Sequence, residues 1–320
     1  MPSVKQVLKE QTDINGVLLV LLQEAKFPKT ISELVDALRV EECIANERSV
    51  KKAIKELEEE GYDIKEVREK EPKYGLVRWG SFDNSAYYKI LGKVRLPCAF
   101  SADWHVGSKG FTRIGFNKFG NDCVKFGVKD IVMPGDLLQG LGVYPTEAMD
   151  VLDPSIDSQE RKLVDLLKEF PKDTRFHAII GNHEEKIKGK WEVGHDSMKT
   201  IATEVENFTY YGAVAKLQLK DNFTMLMMHG KGSVPYAVSY KGQKIYERLP
   251  EKPTIFVHGH IHQLMVLPTP PNHYIFVSGT LQRESSWLVQ AGVVAQVGWI
   301  ILNDINKEGA DFKIRTPEVF

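Results

Sequence analysis

The sequence predicts an α/β protein: a largely parallel sheet fed by short strands, preceded by a small module of three helices and a hairpin. Two observations carry this. From about Tyr88 onward, apolar runs of strand length alternate with helical stripes, and each run stops at a cluster of Asp, Asn, Gly and His. Before Tyr88 the apolar residues recur mainly at helical spacing. Strand–helix–strand alternation gives parallel strands, and sites on such sheets lie at the strands' carboxyl ends.

In chain order, Ile14, Val17, Leu18, Leu21, Leu22 and Ala25 mark the inner face of a first helix, which Pro28 ends. Thr30-Ile31-Ser32-Glu33 is a capping box opening a second helix, whose stripe is Ile31, Leu34, Val35 and Leu38. A third begins near Asn46, turns Val50, Ala53, Ile54 and Leu57 inward and stops at Gly61. Residues 62–67 and 74–79 form two strands joined by a charged turn, 68–73. Three helices and a hairpin in this order resemble a winged helix-turn-helix module, and residues 82–88 form the linker. The expected domains are therefore 1–87, winged-helix-like, and 88–320. The resemblance implies that the third helix enters a major groove, with Arg48, Lys51, Lys52 and Lys55 facing DNA. The acidic half of that helix, Glu56 to Glu60, keeps a second reading open: a solvated helix on a domain for protein contacts or dimerisation.

A chain of 320 residues, 42% apolar and 27% charged, has room for two globular domains. Its net charge of −1 excludes a general attraction to nucleic acid or membranes, so either contact needs a local patch. Three scattered cysteines, Cys43, Cys98 and Cys123, exclude a disulfide framework and a zinc–thiolate site. The first ten residues lack a signal-peptide core, and the most apolar stretches, 17–22 and 293–302, are too short or interrupted to span a bilayer. A cytoplasmic protein without membrane contact is expected.

In the second domain, a strand at 94–102 delivers Asp103-Trp104-His105, and one at 131–133 delivers Gly135-Asp136. A helix at 159–170, with Leu163, Leu166, Leu167 and Phe170 inward, leads to a strand at 176–180 and Gly181-Asn182-His183. Strands at 224–228 and 254–257 end in His229 and in Gly259-His260-Ile261-His262. Carboxylates, an amide and imidazoles in this number suit a pair of metal ions. A mixed N/O donor set favours Mn²⁺, Fe²⁺ or Zn²⁺ over Mg²⁺ or Ca²⁺, with Mn²⁺ the first expectation.

This order of blocks, spanning roughly Phe100 to His262, resembles the calcineurin-like metallophosphoesterase superfamily, with all five of its signature blocks intact. The resemblance implies a two-sheet sandwich flanked by helices, with strands at 274–278, 293–302 and 311–315 completing the second sheet. It implies one metal on Asp103, His105, Asp136 and His262, and a second on Asp136, Asn182, His229 and His260. A water bridging the ions would attack phosphorus, and His183 would protonate the leaving oxygen. His258 falls outside the pattern, as a strand residue with a satisfied hydrogen bond. His177 and His273 are structural or exposed, and His195 is a candidate to approach the substrate.

Protein serine/threonine phosphatases carry a further Asp and Arg where this chain has Gln139 and Gly140, which weakens that reading. Glu184 or Glu185 then orients His183, or either is a solvated rim charge. Tyr236, Tyr240, Lys241, Lys244, Tyr246 and Arg248 form an aromatic and basic cluster that stacks on unpaired bases, or serves as the face of a helix covering the sheet. Lys231 and Arg283 are candidate phosphate holders by position. The leading expectation is a dinuclear phosphodiesterase acting on DNA, similar to the DNA-repair exonuclease branch. The alternative is a phosphoesterase for a small nucleotide or cyclic nucleotide, its N-terminal module used for protein contacts or a homodimer. A non-enzymatic relict, as in some polymerase subunits, predicts lost ligands, and none is lost.

Overall fold

The computed structural model describes residues 14–25, 29–41, 43–59, 64–67, 72–76, 89–143, 148–188, 195–230, 232, 237–290 and 292–317. They fall into two compact units, Met1–Asp83 and Asn84–Phe320.

In the first unit, α1 (Ile14–Glu24), β1 (Lys29–Thr30), α2 (Ile31–Val40), α3 (Glu47–Glu59), β2 (Ile64–Val67) and β3 (Lys73–Leu76) follow in order. The capping box closes both ways: Glu33 N–H donates to Thr30 Oγ1 at 3.2 Å, and Thr30 N–H to Glu33 Oε2 at 2.7 Å. Asn46 caps α3 through Ser49 N–H at 2.9 Å. Leu18, Leu22, Leu34, Leu38, Val50 and Leu57 make one buried core. The two-residue strand β1 has too little sequence to show a pattern, yet it pairs antiparallel with β3 and gives a sheet of order β1-β3-β2. Pro28, Gly61, Tyr62, the turn residues 68–71, positions 77–79 and the linker 82–88 lie outside the described residues.

The second unit runs β4 (Ile90–Lys93), β5 (Cys98–Phe100), α4 (Arg113–Lys125), β6 (Asp130–Met133), α5 (Ile156–Lys168), β7 (Arg175–Ala178), α6 (Asn182–Lys186), α7 (Ser197–Glu204) and β8 (Phe208–Tyr210). It continues with β9 (Val214–Lys220), β10 (Phe223–Met228), α8 (Tyr240–Arg248), β11 (Ile255–His258), β12 (Leu264–Thr269), β13 (His273–Ser278), α9 (Ser286–Gln290), β14 (Trp299–Asn306) and β15 (Gly309–Arg315). Two six-stranded sheets result, β12-β13-β11-β10-β9-β4 and β15-β14-β5-β6-β7-β8. Both are mixed, with β5, β6, β7 and β8 parallel in one and β10, β11 and β13 parallel in the other.

Strand alternation builds the layers. Met225, Met227, Val257 and Phe276 meet Phe100, Val132 and Ile300 between the sheets. The intervening Leu226, Phe256 and Ile275 face out onto Tyr246 and Leu249 at α8. On the other sheet's outer face, Ile131, Phe176 and Trp299 pack with Phe116 and Phe119 of α4 and Leu163 of α5. This is a two-sheet sandwich covered by helices.

Three expectations need correction. The strand expected at 94–102 is only Cys98–Phe100, β5, which pairs with β6 and β14; residues 94–97 link it to β4, which pairs with β9 in the other sheet. The expected strand at 293–302 starts only at Trp299. The last strands do not complete one sheet: β13 joins β11, whereas Ile300, Ile301 and Leu302 pair with Phe100, Ala99 and Cys98. Continuous apolar runs mark buried strands without saying which sheet they enter. Helices α4 and α7 and strands β8, β9 and β12 were not legible. The two glycines inside α4 and its interrupted stripe hide its period. Among the described residues no helix is long and apolar enough to cross a membrane.

Candidate metal centre

Five strand ends converge on one volume. β5, β6 and β7 of one sheet lead to Asp103, Asp136 and Asn182, while β10 and β11 of the other lead to His229 and His260. The backbone turns sharply as it leaves the sheets: Asp103 (φ 52°), His105 (49°), Asp136 (53°), His260 (74°) and His262 (53°) are all left-handed. Residues with a Cβ seldom adopt this conformation, at a cost of about 1–3 kcal/mol each, and such strain gathers at functional sites. The glycines of the motifs make room. A Cβ on Gly181 would lie 2.1 Å from Asp136 Oδ1, and one on Gly259 would lie 2.7 Å from Asp103 Oδ2.

Hydrogen bonds then aim each donor. His229 Nδ1 donates to Pro134 O at 2.6 Å, so Nε2 points inward, 2.9 Å from Asp136 Oδ2 and 3.1 Å from Asn182 Oδ1. His260 Nε2 donates to Gly232 O at 2.6 Å, leaving Nδ1 2.7 Å from Asn182 Oδ1. His105 and His262 bring their Nε2 atoms within 3.1 Å. Asp103 accepts His260 N–H, and Asp136 Oδ1 accepts His183 N–H at 2.8 Å. The donor atoms of Asp103, His105 and His262 lie within 4.8 Å of one another, as do those of Asp136, His229 and His260, and those of His105, Asp136 and His183.

Electrostatics sorts these groups. Burial, helped by His183 and His262, holds His105 well below the usual imidazole range. Burial likewise draws His260 to about 4 and His262 to about 3. These three are neutral, the form that ligates metals. For His229, burial is overcome by Asp136, which raises it to about 9. Burial and the Asp136 carboxylate push Asp103 well above the carboxylate range. Burial opposes ionisation of Asp136 too, but His229 and His183 hold it well below. Buried His105 Nδ1 and His262 Nδ1 have no hydrogen-bond partner among the described residues. Converging imidazoles, two buried carboxylates and an amide oxygen fit divalent cations.

Glu184 corrects an expectation. It neither orients His183 nor sits on the rim. Its buried carboxylate accepts from Gly181 N–H (2.9 Å), Asp136 N–H (3.2 Å) and Leu138 N–H (2.8 Å), stapling two motif loops together. His183 is oriented by backbone instead: Nδ1 donates to Gln139 O at 2.6 Å. The signal for Glu184 was its place three residues into the helix that Gly181 opens.

Residues 96–296, more than half of the chain, match the model for the calcineurin-like phosphoesterases. The chain belongs to that family. It is also similar to the DNA polymerase II small subunit of Pyrococcus furiosus, 35% identical over 94 residues, or 26% of this chain and 15% of that protein. The protein of the same name from Halobacterium salinarum is 28% identical over 188 residues, 55% of this chain and 31% of that one. The chain thus spans less than a third of the length of either relative. Among solved structures, the phosphoesterase YfcE from E. coli superposes with a TM-score of 0.39 at 17% identity, covering 68% of this chain and 96% of that one.

The other expected site residues are not among these clustered donors. Lys231 and Tyr236 are outside the described residues. Arg283 is exposed, its backbone N–H bonded to Gly110 O. His195 Nε2 is 2.6 Å from Glu160 Oε1 on α5. His177 is structural, bonded to Asp130 and Tyr211. His258 is only half satisfied: Nδ1 reaches Gly259 O, while Nε2 is buried without a partner among the described residues. In α8, Tyr246 is buried against the sheet and Tyr240 is exposed beneath Lys244, so this helix both covers and projects. Arg48, Lys51, Lys52 and Lys55 are exposed on α3, the three lysines paired to Glu47, Glu56 and Glu59.

Proposed function

We propose that this chain is a dinuclear metal-dependent phosphodiesterase that acts on DNA. The observation that carries it is the convergence of Asp103, His105, Asp136, Asn182, His229, His260 and His262 with His183 on one volume, no donor missing. Asp103, His105, Asp136 and His262 would hold one ion, and Asp136, Asn182, His229 and His260 the other. Mn²⁺ is the first choice for this donor set, with Fe²⁺ or Zn²⁺ next. Such ions supply a nucleophilic water at neutral pH and draw charge from the non-bridging phosphoryl oxygens. His183 Nδ1 is committed to Gln139 O, so Nε2 is the nitrogen that delivers a proton to the leaving oxygen.

DNA as substrate is supported by the relatives' name, DNA polymerase II small subunit, and by cations near the centre. Lys241 Nζ donates to Gly232 O at 3.2 Å, the same carbonyl that His260 uses, which sets an ammonium at the rim. On the same helix as Lys241, Lys244 over Tyr240 is a cation–aromatic pair suited to bases and phosphates. In the first unit, the order helix–strand–helix–helix–strand–strand supports a winged-helix reading, and its third helix offers Arg48, Lys51, Lys52 and Lys55. Exposed i,i+4 ion pairs are worth only about 0.3–0.5 kcal/mol, so phosphates can displace the glutamates.

The self-paired charges of α3 favour a second reading, in which this unit binds protein and the substrate is a small nucleotide. One assay separates them: the Mn²⁺-loaded chain on labelled single- and double-stranded DNA beside bis-p-nitrophenyl phosphate, with Asp136→Ala as the blank for both substrates and His183→Ala as a second blank for DNA. DNA cleavage lost in both blanks supports the nuclease. Turnover of the small diester with intact DNA refutes it.

A further inference from the structure

The His183 ring is held at Nδ1 by a peptide unit. The carbonyl of that unit, Gln139 O, accepts His183 Nδ1–H at 2.6 Å, and its N–H, on Gly140, donates to Gln159 Oε1 at 2.8 Å. Gln159 stands on α5, fully buried, and its Nε2 donates to Gly140 O at 3.1 Å and Asp153 O at 2.7 Å. The amide can lie only one way round: Gly140 N–H requires the oxygen, and the two carbonyls require the nitrogen. The chain makes space for it. A Cβ on Gly107, just past His105, would fall 2.5 Å from the Gln159 side chain. The Gln139 side chain is held as well, by the Gln282 amide at 3.1 Å.

A peptide unit transmits polarisation: an acceptor on its N–H strengthens its carbonyl as an acceptor, by about 10–30% per bond. It also transmits position, since a planar unit gripped at N–H and C=O cannot rotate. We propose that Gln159 is a positioning residue for His183, acting through the Gln139–Gly140 peptide to keep the proton on Nδ1 and Nε2 aimed at the leaving oxygen. It takes the place of a side-chain carboxylate on His183, and it rests on the reading of His183 as the proton donor in phosphodiester hydrolysis.

The test pairs activity with spectroscopy. Gln159→Met, close in volume, removes both polar atoms. Leaving-group assistance by a positioned acid is worth about 10²–10⁴-fold, and a misaimed one forfeits part of that. On a dinucleoside phosphate, whose alkoxide leaves poorly, kcat is expected to fall about tenfold or more with KM little changed. On bis-p-nitrophenyl phosphate, whose phenolate needs no proton, the fall is expected to stay within about threefold. In a His183→Ala background the same substitution costs nothing further on the dinucleoside phosphate, because both changes remove one function. Equal losses on both substrates, or additive losses in the double variant, overturn the proposal. Gln159→Glu, protonated in this buried place, still accepts from Gly140 N–H. It restores most of the dinucleoside activity, and a Glu variant as impaired as Met overturns the proposal. The Glu variant also carries the test alone should Gln159→Met not fold.

Histidine-¹⁵N spectra of the zinc-loaded protein read the relay without turnover. Wild type is expected to show His183 protonated at Nδ1, its signal assigned by loss in His183→Ala, and the position-159 variant to shift it. A wild-type His183 with its proton on Nε2 alone overturns the relay. A shift of the His183 signal in a protein that cleaves no phosphodiester sinks the functional reading and leaves the relay standing.

Discussion

His105 and His262 face each other nitrogen to nitrogen, their Nε2 atoms 3.1 Å apart inside the protein. Both are held neutral, and each Nδ1 is buried without a partner among the described residues. Two neutral imidazoles so placed share at most one hydrogen bond, whereas both lone pairs can point at one cation. Metal is therefore expected to stabilise the fold by about 2.7 kcal/mol at a hundred times its dissociation constant. Calorimetry with Mn²⁺ or Zn²⁺ and then a chelator checks this. His262→Ala should lower the bound metal from two ions toward one by elemental analysis.

Glu184 gives a prediction of a different kind. One carboxylate serves three backbone donors in two loops. Glu184→Ala leaves buried N–H groups unpaired, each costing about 1–3 kcal/mol. Urea unfolding should show a loss of about 3 kcal/mol or more, with weakened metal binding. Glu184→Gln, which keeps acceptor oxygen, should lose less.

Asp130 lies at the other end of the sheet, fully buried, bonded to Arg95, Arg175 and His177. Burial opposes its charge, but His177, Arg175 and Arg95 prevail and hold it well below the carboxylate range. A depressed carboxylate contributes stability above its unfolded pKa, about 3.9, and loses it as pH falls toward the folded value. Asp130→Asn should therefore cost about 3 kcal/mol at neutral pH, the low end for a broken buried pair because both arginines are partly exposed. The gap to wild type should narrow below about pH 4. Urea midpoints at pH 7 and pH 3 measure it.

If α3 reads DNA, its cations contact phosphates. Each contact contributes about −0.9 to the slope of log K against log salt. Replacing Arg48, Lys51, Lys52 and Lys55 by alanine should flatten that slope by about 3.6 units if all four contact phosphates, measured by fluorescence anisotropy. An unchanged slope would assign the unit to protein contacts.

Lys241 is expected to grip the substrate at the rim of the centre, one carbonyl away from His260. Lys241→Met should lower kcat/KM on a phosphodiester about tenfold, mostly through KM, since a ground-state phosphate contact is lost. Unaltered KM would place the ammonium in packing rather than binding.

Much of this was legible because certain signals are local. The capping box at Thr30 and Glu33 is a matter of three-residue spacing, and Asp103, Asp136 and His229 follow apolar runs directly. Other features were not. Residues 94–97, which keep Val94 and Leu96, pass from one sheet to the other without a sequence mark of which sheet follows, and β1 is two residues long. Glu184 and Glu185 are neighbours of one chemistry, and only burial tells the staple from its half-exposed neighbour.

By itself the sequence determined which side-chain types end each strand, in which order, and hence the chemistry that the centre can support. Periodicity and strand-end position are properties of a few consecutive residues. Only the tertiary structure decided how the donors are aimed: His229 by Pro134, 95 residues away, His183 by Gln139, 44 away, and Gly140 by Gln159, 19 away. The physical reason is that each aiming partner is a backbone carbonyl or a buried amide. Every residue carries the first, many carry the second, and folding alone selects which one meets an imidazole.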